Sequence, residues 1–381
     1  MINRQRISDE FFRLASICSP SFHEAEIADY LAQRFRELGA EVEMDETAGA
    51  IGGEAGNLIA RFAAHQSSAP PLLLSAHMDT VSPADGVQPV LENGVFRSAG
   101  ETVLGADDKS GIAEILEAIC VLKEQNLPHP PLEVVITVCE EVGLLGAKHL
   151  DVSQLSARFG LVLDTSGVGT VAYKAPCANK LRFLIEGVES HAGLDPEHGI
   201  SAIQVAAKAI SAMKLGRIDE QTTANIGIIQ GGQATNIVPR HVQLLGEARS
   251  FDEQALQQQT EHMIDCLRQA ADASVVEIHG ESTQAQLTTE VMADYPLMDV
   301  PTDAPVLRRL CAAAERLGQP LEAGSSGGGS DANLFNQYGI QTVNLASGMQ
   351  KVHSVNEFVL VDDLVSVADL VVAFVQDMAE V

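Results

Sequence analysis

The chain has 381 residues, 46% of them hydrophobic, and 24 basic against 52 acidic side chains give a formal net charge of −28. The length allows roughly two or three domains with real cores, and so negative a field repels phosphate backbones and anionic lipid, so no nucleic-acid or membrane partner is expected. Six cysteines (18, 120, 139, 177, 266, 311) form no C-x-x-C pair, residues 1–10 carry no apolar signal-peptide core, and no apolar run is long enough to span a membrane; the expectation is a cytoplasmic protein.

Residues 8–18 predict a short helix. Ser21 and Glu24 have the spacing of a capping box, and Ile27, Leu31, Phe35 and Leu38 form one face of the helix that follows, stopped by Gly39. Glu41–Met44 and Asn57–Phe62 predict strands. Residues 71–76, with three leucines in a row, predict a strand buried on both faces that runs into His77, with Asp79 two residues on. Open α/β sheets place ligands at this carboxyl edge. An aspartate so placed can accept the proton of the second ring nitrogen and fix the tautomer that faces a metal. The plainer alternative is a histidine satisfied by a loop carboxylate.

A loop is expected from Ser82 to Gly100, with a turn at Glu92-Asn93-Gly94. Ile112, Ile115, Leu116, Ile119 and Leu122 then have helical spacing, which puts Asp107 and Asp108 at a helix N-terminus, where the macrodipole favours negative charge. Beside a ligand-rich edge, Asp107 is also placed to bridge two cations; Lys109 is expected to pair with neighbouring acids. Leu132–Val138 predicts a second buried strand, ending in Cys139-Glu140-Glu141, and Val142–Leu150 a short helix. Gly160–Leu163 ends in Asp164, and Thr342–Leu345 leads to His353. Strands alternating with helices predict an α/β fold: a mostly parallel sheet with helices on both faces.

The texture changes near Cys177. Strands at Lys180–Val188, Thr223–Ile229, His241–Arg249 and Val275–Glu281, with helices at Ser201–Leu215 and Asp252–Ala273, predict an α+β layer covered on one face. Residues 178–290 are read as a domain inserted into a discontinuous main domain, 1–177 and 291–381, which resumes with helices at Ala304–Leu317 and Val361–Met378. Gly167-Val-Gly169-Thr-Val-Ala172 fits G-x-G-x-x-A, but Tyr173–Pro176 follows where a dinucleotide fold needs a helix. Residues 325–330, Ser-Ser-Gly-Gly-Gly-Ser, lack the G-K-[ST] of a phosphate loop; they read as a flexible connection or as backbone that approaches a substrate at Gly328.

His77, Asp107, Glu140, Glu141, Asp164 and His353 therefore collect at strand ends. Imidazoles and carboxylates without thiolate suit zinc, cobalt or manganese. Two such ions, ~3.5–4 Å apart, require one shared carboxylate. A carboxylate that does not ligate can take a proton from water and return it to a leaving amine. Glu140 and Glu141 supply both kinds, since successive residues of an extended chain point opposite ways. Spacing alone leaves open which of the two ligates.

In order along the chain, His77-Met-Asp79-Thr, Gly105-Ala-Asp107-Asp-Lys109-Ser-Gly111, Glu140-Glu141-Val-Gly143, Asp164 and His353-Ser resemble the motif series of the di-zinc aminoacylase/carboxypeptidase family of metallopeptidases. The Asp-Asp-Lys form of the second motif looks closest to the peptidase T (tripeptide aminopeptidase) branch. The resemblance implies a zinc-exopeptidase fold with an inserted lid and dimerisation domain. It implies one zinc on His77 and Asp164, a second on Glu141 and His353, and Asp107 bridging them. Glu140 would be the general base, Asp79 would orient His77, and the Asp107–Asp108 peptide would be cis. His191, in Gly187-Val-Glu-Ser-His191-Ala-Gly193, matches a lid histidine that stabilises the oxyanion, commonly from the partner of a homodimer; a surface-loop histidine is the alternative. Asn236 and Arg249 match residues that bind a substrate carboxylate, a task a planar guanidinium suits; for Arg249 the alternative is a strand-end salt bridge. The implied activity is release of the N-terminal residue of short peptides. Alternatives on the same machinery are N-acyl amino acid deacylation and dipeptidase or carboxypeptidase action; outside it, a non-catalytic binding protein that keeps the fold.

Overall fold

The structure, a computed structural model, describes residues 1–380. The chain divides into two compact units, Met1–Ala175 with Met298–Val381, and Pro176–Leu297.

The first unit begins with α1 (Arg4–Ala15), α2 (Ala25–Glu37), β1 (Glu41–Met44), the short α3 (Thr47–Ile51), β2 (Leu58–Phe62) and β3 (Leu72–His77). It continues through β4 (Pro89–Glu92), β5 (Val95–Ser98), α4 (Ala106–Glu124), β6 (Leu132–Thr137), α5 (Leu145–His149), β7 (Phe159–Thr165) and β8 (Thr170–Ala175). The second unit holds β9 (Cys177–Glu186), α6 (Ala202–Ala212), β10 (Gly216–Arg217), β11 (Thr222–Gly231), β12 (His241–Ser250), α7 (Glu253–Asp272), β13 (Val275–Ile278), β14 (Glu281–Gln284) and β15 (Gln286–Tyr295). The chain returns with β16 (Met298–Asp299), α8 (Pro305–Arg316), β17 (Glu322–Ser325), α9 (Asp331–Gln337), β18 (Gln341–Ala346), β19 (Phe358–Leu360) and α10 (Val361–Met378).

The main sheet has the order β1-β2-β6-β3-β7-β18-β8-β16, with β17 beside β8. Its middle, β6-β3-β7-β18, is parallel, and β1, β2, β8 and β16 pair antiparallel at the flanks. The four parallel strands therefore end at one edge, where the ends of β3 and β7 carry His77 and Asp164 and the segments after β6 and β18 deliver Glu140 with Glu141 and His353. Helices cover both faces: α4 lies on β3 and β7 with α1 and α10 against it and α8 against α10, and α9 lies on β7 and β18 beside α5. Every residue of β3 and β6 is buried, and each buried leucine of β3 contributes about 1.5–3 kcal/mol.

Several local expectations change. Helix α1 starts at Arg4, because Asn3 caps it by accepting from the Arg6 amide. Ser21 and Glu24 make no capping box: Glu24 is the N-cap residue without a side-chain cap bond, and both side chains turn inward. The Ser82–Gly100 stretch contains a hairpin, β4–β5, that turns at Asn93 and Gly94 with positive φ at both. The glycine motif at 167–172 leads into β8, a strand of the main sheet.

The second unit is an antiparallel sheet, β10-β11-β12-β9-β15, with α6 and α7 packed together and onto it. Leu181, Phe183 and Ile185 of β9 join Val205, Ala209, Met263 and Leu267 of the helices in one core, while Arg182 and Leu184 between them are exposed; this alternation marks a sheet covered on one face. The strand expected at Val275–Glu281 is instead the hairpin β13–β14, which turns at His279 and Gly280. The long strand beside β9 is β15.

Candidate active site

His77, the last residue of β3, is 2% exposed. Its Nδ1 lies 2.9 Å from the Asp79 carbonyl oxygen and 3.4 Å from Asp79 Oδ1. A carbonyl only accepts, so Nδ1 carries the hydrogen and Nε2 is turned toward the centre. There Nε2 lies 3.1 Å from Asp107 Oδ1 and 3.9 Å from Asp164 Oδ1. On the other side, His353 Nε2 lies 3.2 Å from Asp107 Oδ2 and 3.0 Å from Glu141 Oε2. His77, Asp107 and Asp164 form one group, and Asp107, Glu141 and His353 another, each with its ligand atoms within 4.8 Å of one another. The carboxylate of Asp107 is common to both. Glu140 stands in neither group, and the Asp107–Asp108 peptide is cis.

Residues outside the two ligand groups, most of them distant in sequence, hold these side chains. The Asp79 carboxylate accepts from the Glu140 amide (2.9 Å), the Glu141 amide (3.2 Å) and Ser21 Oγ (2.7 Å). It thus fixes the turn that carries both glutamates, while its own carbonyl fixes the His77 ring. Glu24 accepts from the Cys139 and Phe22 amides at 3.1 and 3.0 Å. Asn344 of β18 accepts from the Asp164 amide (2.9 Å) and donates to the Asp164 carbonyl oxygen (2.8 Å). Asp108 accepts from the His77 amide (3.3 Å), and buried Asp331 accepts from Thr137 Oγ1 (2.5 Å). An asparagine inside the apolar run of β18 was a legible signal; Ser21 was not, since its partner lies far away in sequence. Lys109 is buried and donates from Nζ to the Ile17 carbonyl oxygen (2.6 Å), not to a neighbouring acid; burial lowers its pKa to about 8.

The charge at this edge is unbalanced. Burial, then the Asp164 charge, pushes Glu140 well above the ordinary carboxylate range, and burial with the Asp107 charge does the same to Asp164. Hydrogen bonds with Asp107 and Glu141 raise His353 to about 10. Burial opposes the charged form of His77, yet its bonds to Asp107 and Asp79 carry it well above its usual value. Buried negative charge at this centre favours a positively charged partner beside it. The donor set of nitrogen and oxygen fits divalent zinc, cobalt or manganese.

The remaining predicted residues lie elsewhere. Gly328 is in the loop before α9 of the first unit, its amide donating to Ser326 Oγ (3.2 Å). The other three belong to the second unit. His191 pairs in an isolated bridge with Ile237, and the Ala192 amide donates to the Asn236 carbonyl oxygen (3.0 Å), so the His191 and Asn236 segments are joined. His191 Nδ1 accepts from the Gly193 and Leu194 amides, both at 3.2 Å; the hydrogen therefore sits on Nε2, which makes that atom a donor. Arg249 on β12 makes a forked pair with Glu247 at 3.1 and 2.9 Å.

Residues 73–377 match the model of peptidase family M20/M25/M40. The chain belongs to this family. Over 381 residues it is 44% identical to YqjE of Bacillus subtilis, an uncharacterized protein, with 100% of both chains covered. The crystal structure of aminopeptidase PepT from Bacillus cereus matches with a TM-score of 0.90 at 42% identity, covering 99% of each chain. That of a Staphylococcus aureus tripeptidase matches with a TM-score of 0.93 at 40% identity, covering 100% of each. Family and solved relatives put the chemistry of this M20 peptidase in the class of peptide hydrolysis, and the paired ligand groups agree with a metallopeptidase. Among the described residues, no helix is long and apolar enough to cross a membrane.

Proposed function

We propose that this M20 peptidase is a cytoplasmic, two-metal aminopeptidase that releases the N-terminal residue of short peptides. The observation that carries the reading is Asp107, whose two carboxylate oxygens serve two ligand groups at once. The B. cereus aminopeptidase and the S. aureus tripeptidase, alike over their whole length, support the substrate class.

His77 and Asp164 would hold one divalent ion, most simply zinc with cobalt or manganese as substitutes; Glu141 and His353 would hold the other, and Asp107 would serve both. Bound there, the ions supply Lewis acidity toward the scissile carbonyl and lower the pKa of water. Glu140, adjacent to a ligand but outside both groups, takes the proton of the attacking water and returns it to the leaving amine. Asp79 keeps His77 in the correct tautomer and Glu140 in place. His191 offers Nε2–H to the developing oxyanion. Asn236 and Arg249 bind the substrate carboxylate, and Gly328 lets the backbone approach the substrate. The second unit serves as the lid and as the contact of a homodimer.

A panel of free and N-acetylated di- and tripeptides, offered to metal-loaded protein, tests this directly. Free tripeptides should be cleaved at the first peptide bond and lose reactivity when acetylated. Preference for the acetylated forms would make the enzyme a deacylase; release of the C-terminal residue would make it a carboxypeptidase. No hydrolysis of any, with metal bound, would leave a binding protein.

A further inference from the structure

The loop after β18 reaches Asp107 twice. His353, held at a positive φ of 58°, meets the Asp107 carboxylate. Four residues on, Glu357 meets its main chain. Glu357 is 2% exposed, and its Oε1 accepts from the Asp107 amide at 2.9 Å. Its Oε2 accepts from the Leu104 and Gly105 amides at 2.7 and 2.8 Å. These donors converge because Gly105 adopts φ 76°, ψ 29°, the left-handed conformation that turns successive N–H groups toward one concavity and forms an anion-binding nest. A Cβ at Gly105 would lie 3.0 Å from Thr80 Cγ2, so the turn has little room for another residue. Glu357 is thus a buried carboxylate filling a nest that opens directly onto the shared ligand, 250 residues away in sequence.

We propose that Glu357 is a positioning residue: by holding the Leu104–Asp107 backbone it sets the Asp107 carboxylate between His77 and His353 before any cation arrives. The inference rests on the two-metal reading. Three charge-assisted bonds to one carboxylate fix the main chain at the point where a small rotation would carry Asp107 toward one group and away from the other. An amide at this position must turn its NH2 toward at least one N–H, which leaves a donor unpaired.

The fold supplies a matched control. Glu133, at the opposite end of β6 from the site, is also buried and accepts from the Ser156 and Ala157 amides at 3.0 Å. The test titrates Co(II) into metal-free wild type, Glu357→Gln and Glu133→Gln, following the visible absorption of bound cobalt and measuring Tm for each. The expected result is two cobalt ions per wild-type chain, Co(II) affinity about 10–100-fold weaker with an altered spectrum in Glu357→Gln, and wild-type affinity and spectrum in Glu133→Gln whatever its Tm. Wild-type cobalt binding in Glu357→Gln, with only Tm lowered, would reduce Glu357 to a structural carboxylate and overturn the proposal. No cobalt binding by wild type would instead sink the two-metal reading itself. Should Glu357→Gln fail to fold, hydrogen exchange on metal-free wild type decides. Protected Leu104, Gly105 and Asp107 amides support preorganisation; amides that gain protection only when metal is added overturn it.

Discussion

Asp79 accepts from Ser21 and from the amides of Glu140 and Glu141, so one carboxylate links a ligand, the proposed base and the N-terminal segment. Ser21→Ala removes a bond to a charged acceptor, worth about 1.5–3 kcal/mol. The expected outcome is a kcat several-fold lower with KM little changed, read from steady-state kinetics. Glu140→Gln should keep both metals and lower kcat by about 10²–10⁴-fold, as measured by metal analysis beside kinetics; loss of metal instead would exchange the roles of the two glutamates. At this scale the sequence was legible where chemistry ends a strand, as at His77, Asp164 and Glu140-Glu141. It misled at Ser21 and Glu24, whose spacing matches a capping box. Both are held by partners 58 and 115 residues away, and no local pattern reports a contact at such separation.

The elements bring these residues together through a short set of parallel strands and one close helix. Helix α4 approaches β7 at Gly111, where an added Cβ would lie 2.6 Å from the Leu163 carbonyl oxygen and 2.7 Å from Asp108 Oδ1. Gly111→Ala should therefore destabilise the first unit by about 1–3 kcal/mol, seen as a lower midpoint in urea. Because Leu163 and Asp108 adjoin Asp164 and Asp107, metal affinity should fall with it; an unchanged midpoint would show that α4 shifts without strain. The apolar runs of β3 and β6 were readable because strands buried on both faces are predominantly apolar, with buried polar residues such as Ser75 and Glu133 as exceptions. Strands β8 and β15 were not: β8 sits behind a glycine-rich turn, and β15 is an edge strand with most of its side chains exposed, so burial imposed no alternation on its sequence. The hairpin in the Ser82–Gly100 stretch was half legible, through the Asn93-Gly94 turn that makes it.

For the whole molecule, the shift from α/β to α+β texture near Cys177 was visible in the sequence as a change in element pattern. The order of the strands and the antiparallel flanks of the main sheet were not, because pairing is decided by packing between segments distant along the chain. The ligand groups bear on the stability of the first unit, which carries them. Binding to the native state alone stabilises it by about 2.7 kcal/mol when free ligand is a hundredfold above Kd. Chelation should therefore lower the unfolding temperature of the first unit and leave that of the second unchanged, as resolved by calorimetry. An identical trace with and without chelator would show that no cation supports the first unit. The most direct measurement is anomalous diffraction at the zinc edge from zinc-loaded crystals. Two peaks ~3.5–4 Å apart, one beside His77 and Asp164, one beside His353 and Glu141, with Asp107 between them, are the predicted result. A single peak, or peaks found only at surface groups such as Asp195, Glu197 and His198, would contradict it.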